Sequence, residues 1–118
     1  MDIETLYRYC LAKKGATEDT PFGEDVLVFK VMGKMFALLF LEERPLRLNL
    51  KCDPARALEL RARYAAVQPG YHMNKRHWNT VVLDGEIPIA EVKALIDHAY
   101  DLVVRGLPKR DREVLARS

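Results

Sequence analysis

Only one serine, Ser118 at the last position, and two cysteines, Cys10 and Cys52, occur in this chain of 118 residues. A lone terminal serine has no framework to activate it, which effectively excludes serine nucleophile chemistry. Two cysteines on different predicted elements do not build a disulfide framework, and neither sits in a CxxC or beside a histidine. Their expected role is that of small buried hydrophobes. A cysteine–histidine pairing would require a tertiary proximity that sequence spacing does not reveal. GxxxxGK(S/T), GxGxxG and GxSxG are all absent, so nothing recognisable cradles a phosphate or presents a nucleophile. His72 and His77 lie five apart, not the four that put two ligands on one helical face, and no third ligand is near; no metal and no cofactor are expected. No apolar run approaches the roughly 20 residues that span a bilayer. The start, MDIETLYRYC, opens with acids and lacks a basic-then-apolar signal pattern. The default expectation is a cytoplasmic, monomeric protein with no membrane role and no catalytic reaction.

What is present fits one domain over 1–118: 49% hydrophobic residues and 8% aromatic, with no repeat, linker or low-complexity tract. The net charge of +2 is unevenly spread. Residues 51–79 carry Lys51, Arg56, Arg61, Arg63, Lys75 and Arg76 against Asp53 and Glu59. Residues 105–118 carry five bases against Asp111 and Glu113, so the remainder is acidic. A basic middle and tail can face an anionic partner, or can simply be one side of a dipolar surface.

Periodicity outlines the elements. Asp2 caps a first helix with Ile3, Leu6, Tyr7, Cys10 and Leu11 at helical spacing, stopped at Gly15. After the turn-rich TEDTPFGED come strands over 26–32 and 35–42, joined by a tight hairpin at Gly33-Lys34. The second is apolar almost throughout, which predicts a central strand covered on both faces. LRLNLK then alternates, with Leu46, Leu48 and Leu50 toward the core and Arg47, Asn49 and Lys51 outward. Asp53-Pro54 starts a second helix, read with Leu58, Ala62 and Ala65 on one side. A fourth strand covers 79–84. Pro88 opens a last long helix with a stripe of Ile89, Val92, Ile96, Ala99, Tyr100 and Val103, ended by Gly106 and Pro108. The tail 109–118 is read as one more helical turn or as a fraying end. The fold class is α+β, an antiparallel sheet with helices packed on one face.

The densest information lies in PGYHMNKRHWN, Pro69 to Asn79, which holds the only Trp, two of the three histidines and Lys75-Arg76. Buried, its polar groups would each need a partner; exposed, Tyr71, Met73 and Trp78 would be out of place. Two readings stay open. Lys75 and Arg76 can neutralise phosphates, Asn74 can bond a base edge or phosphate, and Trp78, His72 or His77 can line or stack on a nucleic acid, with Lys51, Arg61 and Arg63 supplying a supporting field. Alternatively, the segment locks the fold, Trp78 anchoring it in the core, and the domain is a protein-interaction module. A buried Trp78 with His72 and His77 bonded to backbone favours the second, and an exposed ring beside Lys75 and Arg76 the first.

HMNKRHWNTVVLDGEIP, His72 to Pro88, resembles the signature of the MmcQ/YjbR family of small bacterial proteins. LYRYCLAKKGA (Leu6 to Ala16) and AYDLVVRGLP (Ala99 to Pro108) are similar to it as well, so the resemblance spans nearly the whole chain. It implies a CyaY-like (frataxin-type) arrangement and a DNA-binding role, sometimes described through a double wing, and it carries no established catalytic residues. A frataxin-like iron site would need an acidic first helix, but here Asp2 and Glu4 face Arg8, Lys13 and Lys14, so iron binding is not expected.

Overall fold

Asp2 begins the first helix as its residue type predicts, its side chain accepting from the Thr5 amide at 2.8 Å. The computed structural model of the chain describes residues 2–118. In order, the elements are α1 (Ile3–Leu11), β1 (Ala16–Asp19), β2 (Val26–Val31), β3 (Lys34–Phe40), β4 (Arg47–Lys51), α2 (Pro54–Arg63), β5 (Val67–Pro69), β6 (Trp78–Val82), α3 (Ile89–Arg105) and α4 (Lys109–Ala116). The strands form one six-stranded sheet, β1-β2-β3-β4-β6-β5, with every neighbouring pair antiparallel. The fold is α+β, as the alternation of short turns and strands predicts. Among the described residues, no helix is long and apolar enough to cross a membrane.

The meander is tight where turn chemistry permits. Val31 pairs with Lys34, leaving Met32-Gly33 as the two-residue turn, with φ of 49° and 80°. Positive φ at both positions matches a primed turn, whose twist suits a hairpin. The turn therefore sits one residue before the expected Gly33-Lys34.

The helices lie on one face of the sheet. There Phe29, Val31, Phe36, Leu39, Leu48, Leu50 and Val81 meet Leu6 and Cys10 of α1 and Leu95, Ile96 and Ala99 of α3, all buried. The opposite face carries a smaller cluster of Val28, Leu38 and Trp78, edged by Val26, Met35, Phe40 and Met73. Leu38 and Leu39, adjacent on β3, are both buried, so this strand is covered on both faces, as its apolar run predicts.

Several expectations are corrected. The α2 stripe is Ala57 and Leu60, whereas Leu58, Ala62 and Ala65 are exposed. Positions 57, 60 and 64 are as good a helical stripe as 58, 62 and 65, and only packing against β5 and β6 chooses between them. Ile89 sits at the exposed start of α3. The tail is ordered: α4 buries Leu115, and Lys14 Nζ donates to the Ala116 carbonyl at 3.0 Å. The short β1 and β5, unassigned from sequence, are edge strands formed by pairing with β2 and β6. Asn49 is fully buried although it occupies an outward slot of β4.

These burials are separable by mutation. Ile96→Ala is expected to lower the unfolding free energy by about 2–5 kcal/mol, while Ile89→Ala stays within about 0.5 kcal/mol, both read from urea denaturation.

Candidate functional site

Residues 70–77 leave β5, cross the open face of the sheet and return as β6. Gly70 makes the departure possible: its amide donates to the Trp78 carbonyl at 2.9 Å, and a Cβ here would lie 2.7 Å from Trp78 Cβ. Asn74 builds the return. Its Oδ1 accepts from the amides of Arg76 at 2.9 Å and His77 at 3.3 Å, an Asx turn that aims the chain back into the sheet. The His77 carbonyl then accepts from the Cys52 amide at 2.8 Å.

Two polar clamps hold this crossing, one on each face of β6. On the open face, Asn49 and Thr80 are cross-strand partners, with Thr80 Oγ1 donating to Asn49 Oδ1 at 2.6 Å. Asn49 Nδ2 donates to the Tyr71 carbonyl at 2.9 Å, and the Tyr71 amide donates to Thr80 Oγ1 at 2.9 Å. The triangle is closed, so the burial of two polar side chains leaves nothing unpaired. On the helix face, Arg61 Nε donates to Asn79 Oδ1 at 2.7 Å, while its Nη2 donates to the carbonyls of Lys75 and Trp78. Asn79 Nδ2 donates to the Ala57 carbonyl at 3.4 Å, which ties α2 to the same strand.

The sequence-predicted site residues separate by use. Trp78 is 6% exposed and packs on Val28 and Leu38, which is the anchoring alternative; its ring offers no free stacking face. Lys51 extends over that ring, its Nζ 5.8 Å from the centroid. Lys75 Nζ donates to the Gly70 carbonyl at 3.0 Å, a bond that closes the crossing on itself. Arg76, His72 and His77 are exposed, and His72 holds a left-handed φ of 59° with its ring 3.9 Å from that of Tyr71. Arg63 lies apart, pairing with Glu91 of α3 at 3.9 Å and covering Tyr64. Lys51, Arg61, Asn74, Lys75, Arg76 and His77 thus come together around Trp78; Arg63 does not, and His72 lies instead in the groove beside Phe40 and Tyr71.

Sequence reasoning passed over Asn49, Thr80, Phe22 and Phe40. Asn49 and Thr80 alternate correctly for an outward face, and alternation cannot say whether another segment covers that face. Phe22 and Phe40 border an apolar groove of about 350 Å³ with Tyr71, His72 and Met73. A second cleft, about 580 Å³, opens between α2 and the 74–77 turn, walled by Pro54, Leu58, Arg61, Lys75 and Arg76.

Titratable groups outside the crossing are structural in arrangement. Burial pushes the Cys10 thiol up to about 12 and raises that of Cys52, so both thiols stay protonated near neutrality. Tyr9 and Lys13 both donate to Asp97, tying α1 to α3; these bonds hold the Asp97 carboxyl below its usual range, although burial opposes them. His98 Nε2 accepts from the Asp53 amide at 3.2 Å, and its pKa is lowered by burial, then by Arg56 and Arg105. Among the described residues, no three His, Cys, Asp or Glu side chains gather as a metal-holding group.

The YjbR family model matches residues 11–102. The chain belongs to the YjbR family. It is 36% identical over 118 residues to the uncharacterised YjbR protein of Escherichia coli K12, covering 99% of each chain. It is also 43% identical over 93 residues to the uncharacterised YbdF protein of Escherichia coli O157:H7, covering 79% of this chain and 76% of that one. Among solved structures, a crystal structure of a Deinococcus radiodurans protein with the DUF419 domain superposes with a TM-score of 0.90 at 40% identity, covering 97% of this chain and 87% of that chain. A Pseudomonas syringae protein follows at 0.75 and 30%, covering 86% and 98%.

Two outcomes follow from the site's bonding. Arg61→Ala strands the buried Asn79 Oδ1 and two carbonyls, and is expected to cost about 1–3 kcal/mol in urea denaturation, with Arg61→Lys recovering only part because a lysine lacks the planar fork. The depressed His98 pKa means the unfolded chain takes up that proton first. Its contribution is complete above the ordinary value of 6.5 and declines as pH falls through the window below it. Between about pH 7.5 and pH 5.5 the stability of His98→Gln should therefore fall less steeply than that of the wild type.

Proposed function

We propose that this YjbR-family chain is a non-enzymatic DNA-binding domain that grips the phosphate backbone with the basic surface around the 74–79 return, not with a stacked aromatic. One observation carries the reading. Arg61, Lys75 and Lys51 direct their cationic ends to carbonyl oxygens, an amide side chain or an aromatic ring, and Arg76 is exposed; none of the four has a carboxylate partner among the described residues. A carbonyl orders a cation without neutralising it, so the positive charge is held in place and left available to an anion.

The buried Trp78 narrows the proposal. Without a free indole, single-strand stacking loses its best platform, and contact falls to phosphate neutralisation by Arg76 and Lys75 at the cleft beside α2, whose wall Arg61 shares. Such contacts position a duplex more than they read its sequence. Binding is therefore expected to be modest, steeply salt-dependent and weakly sequence-selective.

The second reading, a protein-interaction domain in which the same segment is structural, is favoured by the internal bonds of Asn74, Lys75, Trp78 and Asn79 and by the apolar groove.

The proposal is tested by fluorescence anisotropy on a labelled duplex between about 50 and 200 mM salt. Arg76→Ala is the primary variant because its side chain holds no part of the crossing, whereas Lys75→Ala also removes the bond to Gly70. Arg76→Ala should weaken binding and reduce the log–log salt slope by about one unit, with Arg76→Lys restoring the slope. Wild-type affinity and slope in Arg76→Ala, or no wild-type binding at the lower salt, would sink the DNA assignment.

A further inference from the structure

We infer that the apolar groove on the open face docks an extended basic peptide segment through one bulky apolar anchor. The groove is lined by Phe22, Val26, Leu38, Phe40, Tyr71, His72 and Met73, at the end of β2 and β3 farthest from Lys34 and Lys51. Phe22 is 60% exposed and Tyr71 49% exposed. Scattered single hydrophobes on a surface need no explanation, but these two border one concavity, continuous with the buried Val28–Leu38–Trp78 cluster. Its volume of about 350 Å³ accommodates one large side chain and a neighbour, and rings of Phe40 and Tyr71 meet edge-on, 6.3 Å apart, as one wall.

Charge selects the occupant. The two turns that flank the lining residues carry Asp19, Glu24 and Asp25 beside Phe22 and Val26, and Glu42 and Glu43 just after Phe40. Lys30 answers Asp19 at 3.8 Å, while Arg44 donates to the carbonyls of Leu41 and Glu43, which orders its charge without neutralising it. Arg44 and Arg47, the latter opposite Phe40 on β4, are the cations at this end without a carboxylate partner among the described residues, two against four such acids. Glu24, Asp25, Glu42 and Glu43 have no ion-pair partner among the described residues. Such a rim repels phosphate, so the groove is not an extension of the proposed DNA surface. An apolar anchor flanked by Lys or Arg satisfies both the groove and its rim, the core-and-rim division common at interfaces.

The test uses the full chain and a fluorescein-labelled hexapeptide with a Trp-Leu centre and two lysines on each side. Two control peptides replace either the flanking lysines by glutamates or the centre by Ala-Ala. The lysine-flanked Trp-Leu peptide should bind saturably, and each control at least about tenfold more weakly. Phe22→Ala, exposed enough to leave the melting midpoint unchanged, should weaken binding about tenfold. Glu24→Gln/Asp25→Asn should weaken it and flatten its salt dependence, while Arg76→Ala, the DNA-surface variant, leaves it intact. No saturable binding, equal binding of the glutamate-flanked peptide, indifference to Phe22→Ala, or loss in Arg76→Ala would each overturn the inference. None of these outcomes bears on DNA binding.

Discussion

Arg61 holds the open face of this domain in place from the other side of the sheet. Its guanidinium reaches Asn79 Oδ1 and the carbonyls of Lys75 and Trp78, so one planar fork joins α2 to both ends of the return into β6. Through the sheet, the Asn49–Thr80–Tyr71 triangle fixes the start of the same crossing. Each bond is ordinary alone. Their weight comes from burial, where an unpaired amide or hydroxyl costs more than a made bond gains, so the network is stable only when complete. Trp78 can then seal the open-face cluster, because the chain on both sides of it is pinned.

That constraint changes what the most distinctive segment is for. Its Asn, Lys and Trp, which read equally well as nucleic-acid contacts, are largely occupied with one another's backbone. The surface that remains has two characters. Near α2 and the return, cations are ordered by carbonyls and keep their charge. Near the ends of β2 and β3, aromatic side chains stand half-exposed among unpaired carboxylates. The chain's small net charge conceals this polarity, since residues 51–79 are net basic and residues 19–43 net acidic.

Legibility in the sequence followed the range of the interaction. Helix starts were legible because caps are local: Asp2 and Asp53 each accept from an amide three residues on. The central position of β3 was legible from its unbroken apolar run, and Cys10 and Cys52 are buried as their type suggests. The face of α2 was not, because two stripes had similar apolar content and only the sheet could choose. Nor were β1 and β5, which are too short to carry a pattern and exist by pairing with longer neighbours. Of the candidate site, the cluster of Lys51, Arg61, Lys75, Arg76, His77 and Trp78 was legible as a group, but the direction in which Trp78 points was not. Asn49 and Thr80 escaped notice because a buried polar residue under a folded-back segment has the same alternation as one facing water.

By itself the sequence determined the α+β class, the longer helices and strands and the hairpin meander, because caps, turns and periodicity act over a few residues and need no distant partner, and its His72–Pro88 motif carried the family. Tertiary structure alone decided which polar residues are internal fasteners and which are free. That choice depends on whether a donor from α2 or β4 meets a carbonyl of the 70–77 crossing, a distance that no local spacing encodes.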